Sequence, residues 1–243
     1  MDLKKNSVVN GAAYALATAG TIIGEMRGLP LLNHICAPAM MIVLSSWFFF
    51  NSRRVGDRFT LLIQAGLFFS LIADIALMFQ RADEFNFLIG LGAYLLAVLC
   101  YTMAFIHNVA DISGGGSPAV PSIVALGLGG YAFIFGSRLM PYLDDGISIP
   151  IIVFIVLVTC MGIAAALRFG KTFVRSFLMV LLGSFFFIAS FSFLATNRFM
   201  LPLEHAGWSI TLTYSIAQYL IAAGCLLHVL DPEEIRRKAM LST

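Results

Sequence analysis

The feature that most restricts this chain is a repeated length. Apolar stretches at residues 8–25, 30–50, 60–79, 86–106, 119–136, 149–168, 175–195 and 207–230 follow one another with short polar breaks. A helix needs about 20 largely apolar residues to cross the hydrocarbon of a bilayer, and the stretches match that length. Composition agrees, with 60% of residues hydrophobic and 12% charged, against about 45–50% and about 25% in soluble globular domains. So much apolar surface needs lipid as its solvent. The expected fold is all-α: a polytopic transmembrane helical bundle of eight spans, forming a single integral membrane domain over residues 1–243.

The start of the chain, Lys4–Lys5 followed by Val8–Gly20, has the outline of a signal peptide, and Ala17–Thr18–Ala19 imitates a cleavage site. Seven further spans follow, so this stretch is read as a retained first helix. The breaks between spans are polar or rich in glycine and proline. They include Asn51–Arg54, Arg81–Glu84, Gly114–Pro118 and Asp144–Gly146. The triple glycine reads as a plain surface loop, since no internal repeat supports a joint between two halves.

Orientation follows from the lysines and arginines of the short loops, which favour the cytoplasmic side. Lys4, Lys5, Arg53, Arg54, Arg58, Arg168, Lys171, Arg175, Arg236, Arg237 and Lys238 fall on the side of the two termini. Only Arg27, Arg81, Arg138 and Arg198 fall on the other. The expected topology is N-in/C-in, multi-pass, in a bacterial inner (cytoplasmic) membrane.

Several function classes drop out. A net charge of +2 with no basic tract gives no footprint for nucleic acid. Cys36, Cys100, Cys160 and Cys225 each stand alone in an apolar stretch, without disulfide or zinc spacing. In the expected topology His34 and His205 lie near the outer face, whereas His107 and His228 lie near the inner one, ~30 Å away. No three converge, so no metal is expected. Motifs for a serine nucleophile, a zinc hydrolase or a phosphate-binding glycine loop are missing, and no cofactor is implied.

What remains is polar chemistry inside the spans. An ionisable side chain in hydrocarbon costs roughly 2.5–3.5 kcal/mol even on lenient insertion scales, which makes it a functional candidate. Asp74 is the clearest, in a stretch from Phe68 to Met78 that contains no cation. Ser70, four residues earlier on the same helical face, is placed to hydrogen-bond it. Tyr94 and Tyr101 are one heptad apart, Tyr214 and Gln218 share a face of the last span, and Ser190 and Asn197 lie late in the seventh. Each alone is ordinary interhelical glue. Together with Asp74 they are candidates to line one polar cavity.

These residues sit in familiar surroundings. Gly66–Met78 around Asp74, Phe87–Tyr94, Tyr101–Phe105, Ile188–Phe199 and Tyr214–Ile221 resemble, in order and spacing, the signatures of the YhhN family of lysoplasmalogenase-like eight-helix membrane proteins. The resemblance runs from about residue 30 to 230. It implies cleavage of the vinyl-ether bond of lysoplasmalogens, in which an enol ether is protonated on carbon and water captures the resulting cation. Carboxyls suit both steps, one as acid and one as carboxylate.

The sequence departs from that pattern at three places. Ala37 stands where the family usually has a lysine, Val98 where it has a histidine and Phe191 where it has a second aspartate. At ~1.5 Å per residue, Ala37, Asp74, Phe191 and Tyr214 lie roughly 5–12 Å from the outer ends of their helices, with Val98 deeper. The leading expectation is therefore a divergent member that keeps the fold and lipid cavity without the hydrolase activity. It would bind membrane lipids, or serve as a subunit of a membrane-protein complex. One alternative is an active lysoplasmalogenase in which Asp74 alone is catalytic, with Tyr214, Gln218, Asn197 and Ser190 orienting water and head group. Another is a small-solute transporter or an unrelated membrane scaffold.

Overall fold

The computed structural model describes residues 3–52, 56–79, 84–110, 117–204 and 206–230. The triple glycine, Arg53, Arg54, Arg81, His205, Arg236, Arg237 and Lys238 lie outside them. Among the described residues, eight helices are long and apolar enough to cross a membrane. They are α1 (Leu3–Arg27), α2 (Pro30–Ser52), α3 (Arg58–Met78), α4 (Glu84–Ala110), α5 (Ala119–Leu139), α6 (Asp145–Ala166), α7 (Val174–Ala195) and α8 (Ala206–Val229). There is no strand among the described residues.

Local signals set several boundaries. Asp57 caps α3, its carboxylate accepting from the Thr60 amide at 2.9 Å. Gly28 takes a positive φ of 62° between α1 and α2, a conformation that glycine adopts without steric penalty. α7 does not stop cleanly: it widens into a π-turn over Thr196–Met200 before the chain extends at Leu201.

The closest packing joins α3 to α4 and α7 to α8, and small residues permit it. A Cβ on Gly183 would lie 2.9 Å from Ile221 Cγ1 and 3.0 Å from the Ala217 carbonyl oxygen. One on Gly224 would lie 2.8 Å from Val180 Cγ2. Backbones that approach this closely gain van der Waals contact, the main attraction between helices in lipid. α8 packs against α7, α1, α2 and α3. α5 is the opposite case: Leu139 is its one buried residue, and it leans mainly on α6.

The end of the bundle that carries the termini is closed around Arg168. Counted from the sequence as a loop charge, this residue is wholly buried. Its Nε donates to Asn108 Oδ1 at 3.0 Å and its Nη2 to Ser176 Oγ at 3.0 Å. Its guanidinium carbon lies 5.6 Å from the Phe105 ring centre and 6.0 Å from that of Phe59. Asn108 also meets His228 Nε2 at 2.6 Å. Burial lowers the Arg168 pKa, but arginine starts so high that it stays charged.

Candidate functional site

At the opposite end the helices diverge around a polar cavity. α3 brings in Asp74, α4 Tyr94 and α8 Tyr214. Tyr94 donates its hydroxyl to one oxygen of the Asp74 carboxylate, and Tyr214 donates to the other at 3.0 Å. Behind them the network continues through Gln218, whose Nε2 donates to Tyr214 Oη at 3.1 Å and to Ser70 Oγ at 3.0 Å. The Gln218 carbonyl oxygen accepts from the Tyr101 hydroxyl at 2.9 Å. Buried polar groups in a low-dielectric interior are costly unless paired. This chain of bonds satisfies them across three helices.

The helical periods explain why the set converges. Ser70 and Asp74 are four residues apart, as are Tyr214 and Gln218, so each pair lies on one helical face. Tyr94 and Tyr101 are separated by two turns. Ser70 behaves differently from the sequence expectation: its hydroxyl accepts from Gln218, while the tyrosines take both Asp74 oxygens. A long side chain from another helix can reach in where a local i, i+4 pair would have formed.

The cavity holds about 1680 Å³ of empty space, its open mouth included. Asp74, Tyr94, Tyr214, Ser190 and Asn197 line it, as do Ala37 and Phe191. Tyr101, Ser70 and Gln218 support from behind and are buried. Val98 is wholly buried in the core and is not on the cavity wall. Ser190 donates to the Ile210 carbonyl at 3.0 Å, tying α7 to α8. Asn197, in the π-turn, accepts from the Leu203 amide at 3.0 Å and shapes the α7–α8 connection.

Phe191 lies in a nest of rings. Its centre is 4.7 Å from that of Tyr94, 4.5 Å from Phe154 and 4.9 Å from Phe187. Such spacings are those of favourable aromatic pairs. The wall beside Asp74 is therefore aromatic where the resemblance expects a second carboxylate. No lysine or arginine among the described residues lines the cavity.

Of the lining residues that the sequence reasoning missed, Glu25 carries the most chemistry. Glu25, near the end of α1, contributes a second carboxylate at the mouth; Asn33 of α2 donates to it through Nδ2. Gly207 makes room for it, since a Cβ there would lie 2.6 Å from Glu25 Oε2. In the sequence Glu25 falls at the last position of the first apolar stretch, and the meeting of α1 with α8 reveals its place.

A profile of the YhhN family matches residues 32–225. Two curated proteins named lysoplasmalogenase, from Mycobacterium bovis (strain ATCC BAA-935 / AF2122/97) and Mycobacterium tuberculosis (strain CDC 1551 / Oshkosh), are each 32% identical to this chain over 141 residues. The match covers 57% of this chain and 50% of each relative, so the chain spans about half the length of the curated relatives it matches. No solved structure matches it.

Proposed function

Since the chain belongs to the YhhN family, we propose that it is a lipid-binding member in which the vinyl-ether hydrolase activity has been lost. The observation that carries this is the aromatic wall beside Asp74. Phe191, where the resemblance implies a second aspartate, packs its ring on Tyr94, Phe154 and Phe187, leaving no acidic group there. Both oxygens of Asp74 already accept tyrosine hydroxyls. Asp74 is then a fixed acceptor that holds α3 to α4 and α8, and donating a proton to a substrate carbon would require displacing a tyrosine.

The cavity remains suited to the polar end of a lipid. Thr21, Glu25, Asn33 and Asn197 line it together with Trp208, offering hydrogen-bonding groups and an amphipathic ring at the level where spans end. In the N-in/C-in topology that the loop charges favour, the mouth opens to the outer leaflet. A lysolipid is the ligand class that fits, and a partner protein that receives or presents it is compatible with the same surface.

A second reading is favoured by Glu25. It shares the cavity with Asp74, so two carboxyls remain available in one space. In that case Asp74 would protonate the enol-ether carbon and Glu25 would accept a proton from the attacking water. The hemiacetal formed would collapse to an aldehyde and the glycerophospho head group.

Aldehyde release from lysoplasmenylethanolamine by the purified protein separates the two. The expected result is no release by the parent alongside saturable lysolipid binding, and measurable release by the Phe191→Asp variant. Turnover by the parent that disappears in both Asp74→Asn and Glu25→Gln would establish the second reading in place of the first.

A further inference from the structure

The polar cavity does not end at its aromatic wall. Behind Tyr94 and Phe191 runs an apolar groove between α4, α5, α6 and α7, with about 710 Å³ of empty space, its open side included. Leu77, Tyr94, Phe191 and Leu194 line both spaces, so one wall separates a polar chamber from a hydrocarbon-like one. Phe87, Phe135, Phe154 and Ile155 form much of the groove's remaining surface.

The few hydroxyls along the groove offer nothing to a polar ligand. Thr159 donates to the Ile155 carbonyl at 2.7 Å and Ser192 to the Ile188 carbonyl at 2.8 Å, each within its own helix. Tyr131 donates to Ser192 Oγ at 2.7 Å, bridging α5 to α7, and Tyr94 donates to Asp74. Every hydroxyl donor is engaged, so the groove is chemically apolar despite these residues. An apolar space against a polar one, within a bundle that faces lipid, matches a molecule with the same two parts.

We infer that a single-chain amphiphile binds across the Tyr94–Phe191 wall, with its polar end in the Asp74 cavity and its hydrocarbon chain in the α5–α6–α7 groove. This rests on the lipid-binding reading above and extends it to the chain. Phe154 and Phe191 are packed at 4.5 Å, so the chain crosses only where the Phe191 ring turns aside, which favours one chain over two. α5 forms the outer side of the groove and is the helix least fixed to the core. The chain therefore enters sideways from the bilayer, between α5 and α7, where the Tyr131–Ser192 bond is the polar bridge.

Native mass spectrometry tests this, with 1-O-alkyl lysophosphatidylethanolamines and plain n-alkyl alcohols of eight, twelve and sixteen carbons as probes. Ala132 lines the groove from α5, so Ala132→Trp and the milder Ala132→Phe fill it. Phe133, 77% exposed on the same helix, gives the control Phe133→Trp. The expected result is a loss of tenfold or more in binding of the sixteen-carbon probes to Ala132→Trp, and a smaller loss to Ala132→Phe. Eight-carbon probes change less than twofold, and Phe133→Trp changes nothing. Chain-length dependence with alcohols but no binding of any lysolipid would remove the lysolipid reading and leave the groove assigned. Equal loss at all lengths, or none at sixteen carbons with both folded variants, would overturn the inference.

Discussion

The two ends of this bundle each hold an ionisable side chain, and they stabilise it in opposite ways. At the end with the termini, Arg168 is wholly buried and held by Asn108, Ser176 and the faces of Phe59 and Phe105. At the other end, Asp74 accepts two tyrosine hydroxyls but borders a cavity. The first arrangement pins α4, α6, α7 and α8 together. The second leaves a carboxyl group beside open space, with polar walls around it. A buried charge in a membrane bundle is therefore not by itself a functional site; the empty space beside it decides.

That contrast is sharpest when each side chain is replaced. Arg168→Leu should have the largest effect, because it strips partners from the buried Asn108 and Ser176. Unsatisfied buried groups cost about 1–3 kcal/mol each, so a total near 3 kcal/mol is expected. At ~2–4 °C per kcal/mol for a chain of this size, the melting temperature in detergent should drop by roughly 10 °C. Lysolipid binding by the folded fraction should be unchanged. An Arg168→Leu protein that melts like the parent would show that the closed end is not a pin.

Tyr94→Phe should come next. It removes one donor to Asp74, but water in the cavity can replace it, so the loss should be about 1 kcal/mol. Lysolipid affinity should fall with it, because the freed carboxylate oxygen then faces the ligand. Titration of a lysolipid against both proteins checks this, and unchanged affinity would place the ligand away from the Tyr94 wall.

Asp74→Asn should have the smallest effect on stability. The amide keeps an oxygen acceptor for one tyrosine and presents its N–H₂ to the other hydroxyl oxygen, so a change below about 1 kcal/mol is expected. A thermal scan showing Asp74→Asn as damaging as Arg168→Leu would erase the difference between the two ends and make Asp74 a structural pin too.

The fold was legible because a bilayer imposes a length and excludes charge: hydropathy alone marks eight helices. Asp74 was legible for the same reason, as the carboxyl in Phe68–Met78 with no cation near it in sequence. Tyr94, Tyr214 and Gln218 were readable as polar exceptions, yet their bonding was not. Ser70 looked like the partner of Asp74 by helical spacing, and turned out to serve Gln218. Spacing reports which residues share a face of one helix; it is silent on which helix comes to meet that face.

Sequence by itself therefore determined the number of spans, their apolar character and the rarity of charge within them, since these depend on local composition against a fixed hydrocarbon thickness. Tertiary packing decided the rest. It turned Arg168 from an apparent loop charge into a buried one, and brought Glu25 of α1 to the cavity of Asp74. It also set Phe191 between a polar chamber and an apolar groove. These outcomes depend on which helices touch, and in lipid that choice rests on close steric fit at residues such as Gly183 and Gly224. Hydrophobicity, nearly uniform along every span, cannot make it.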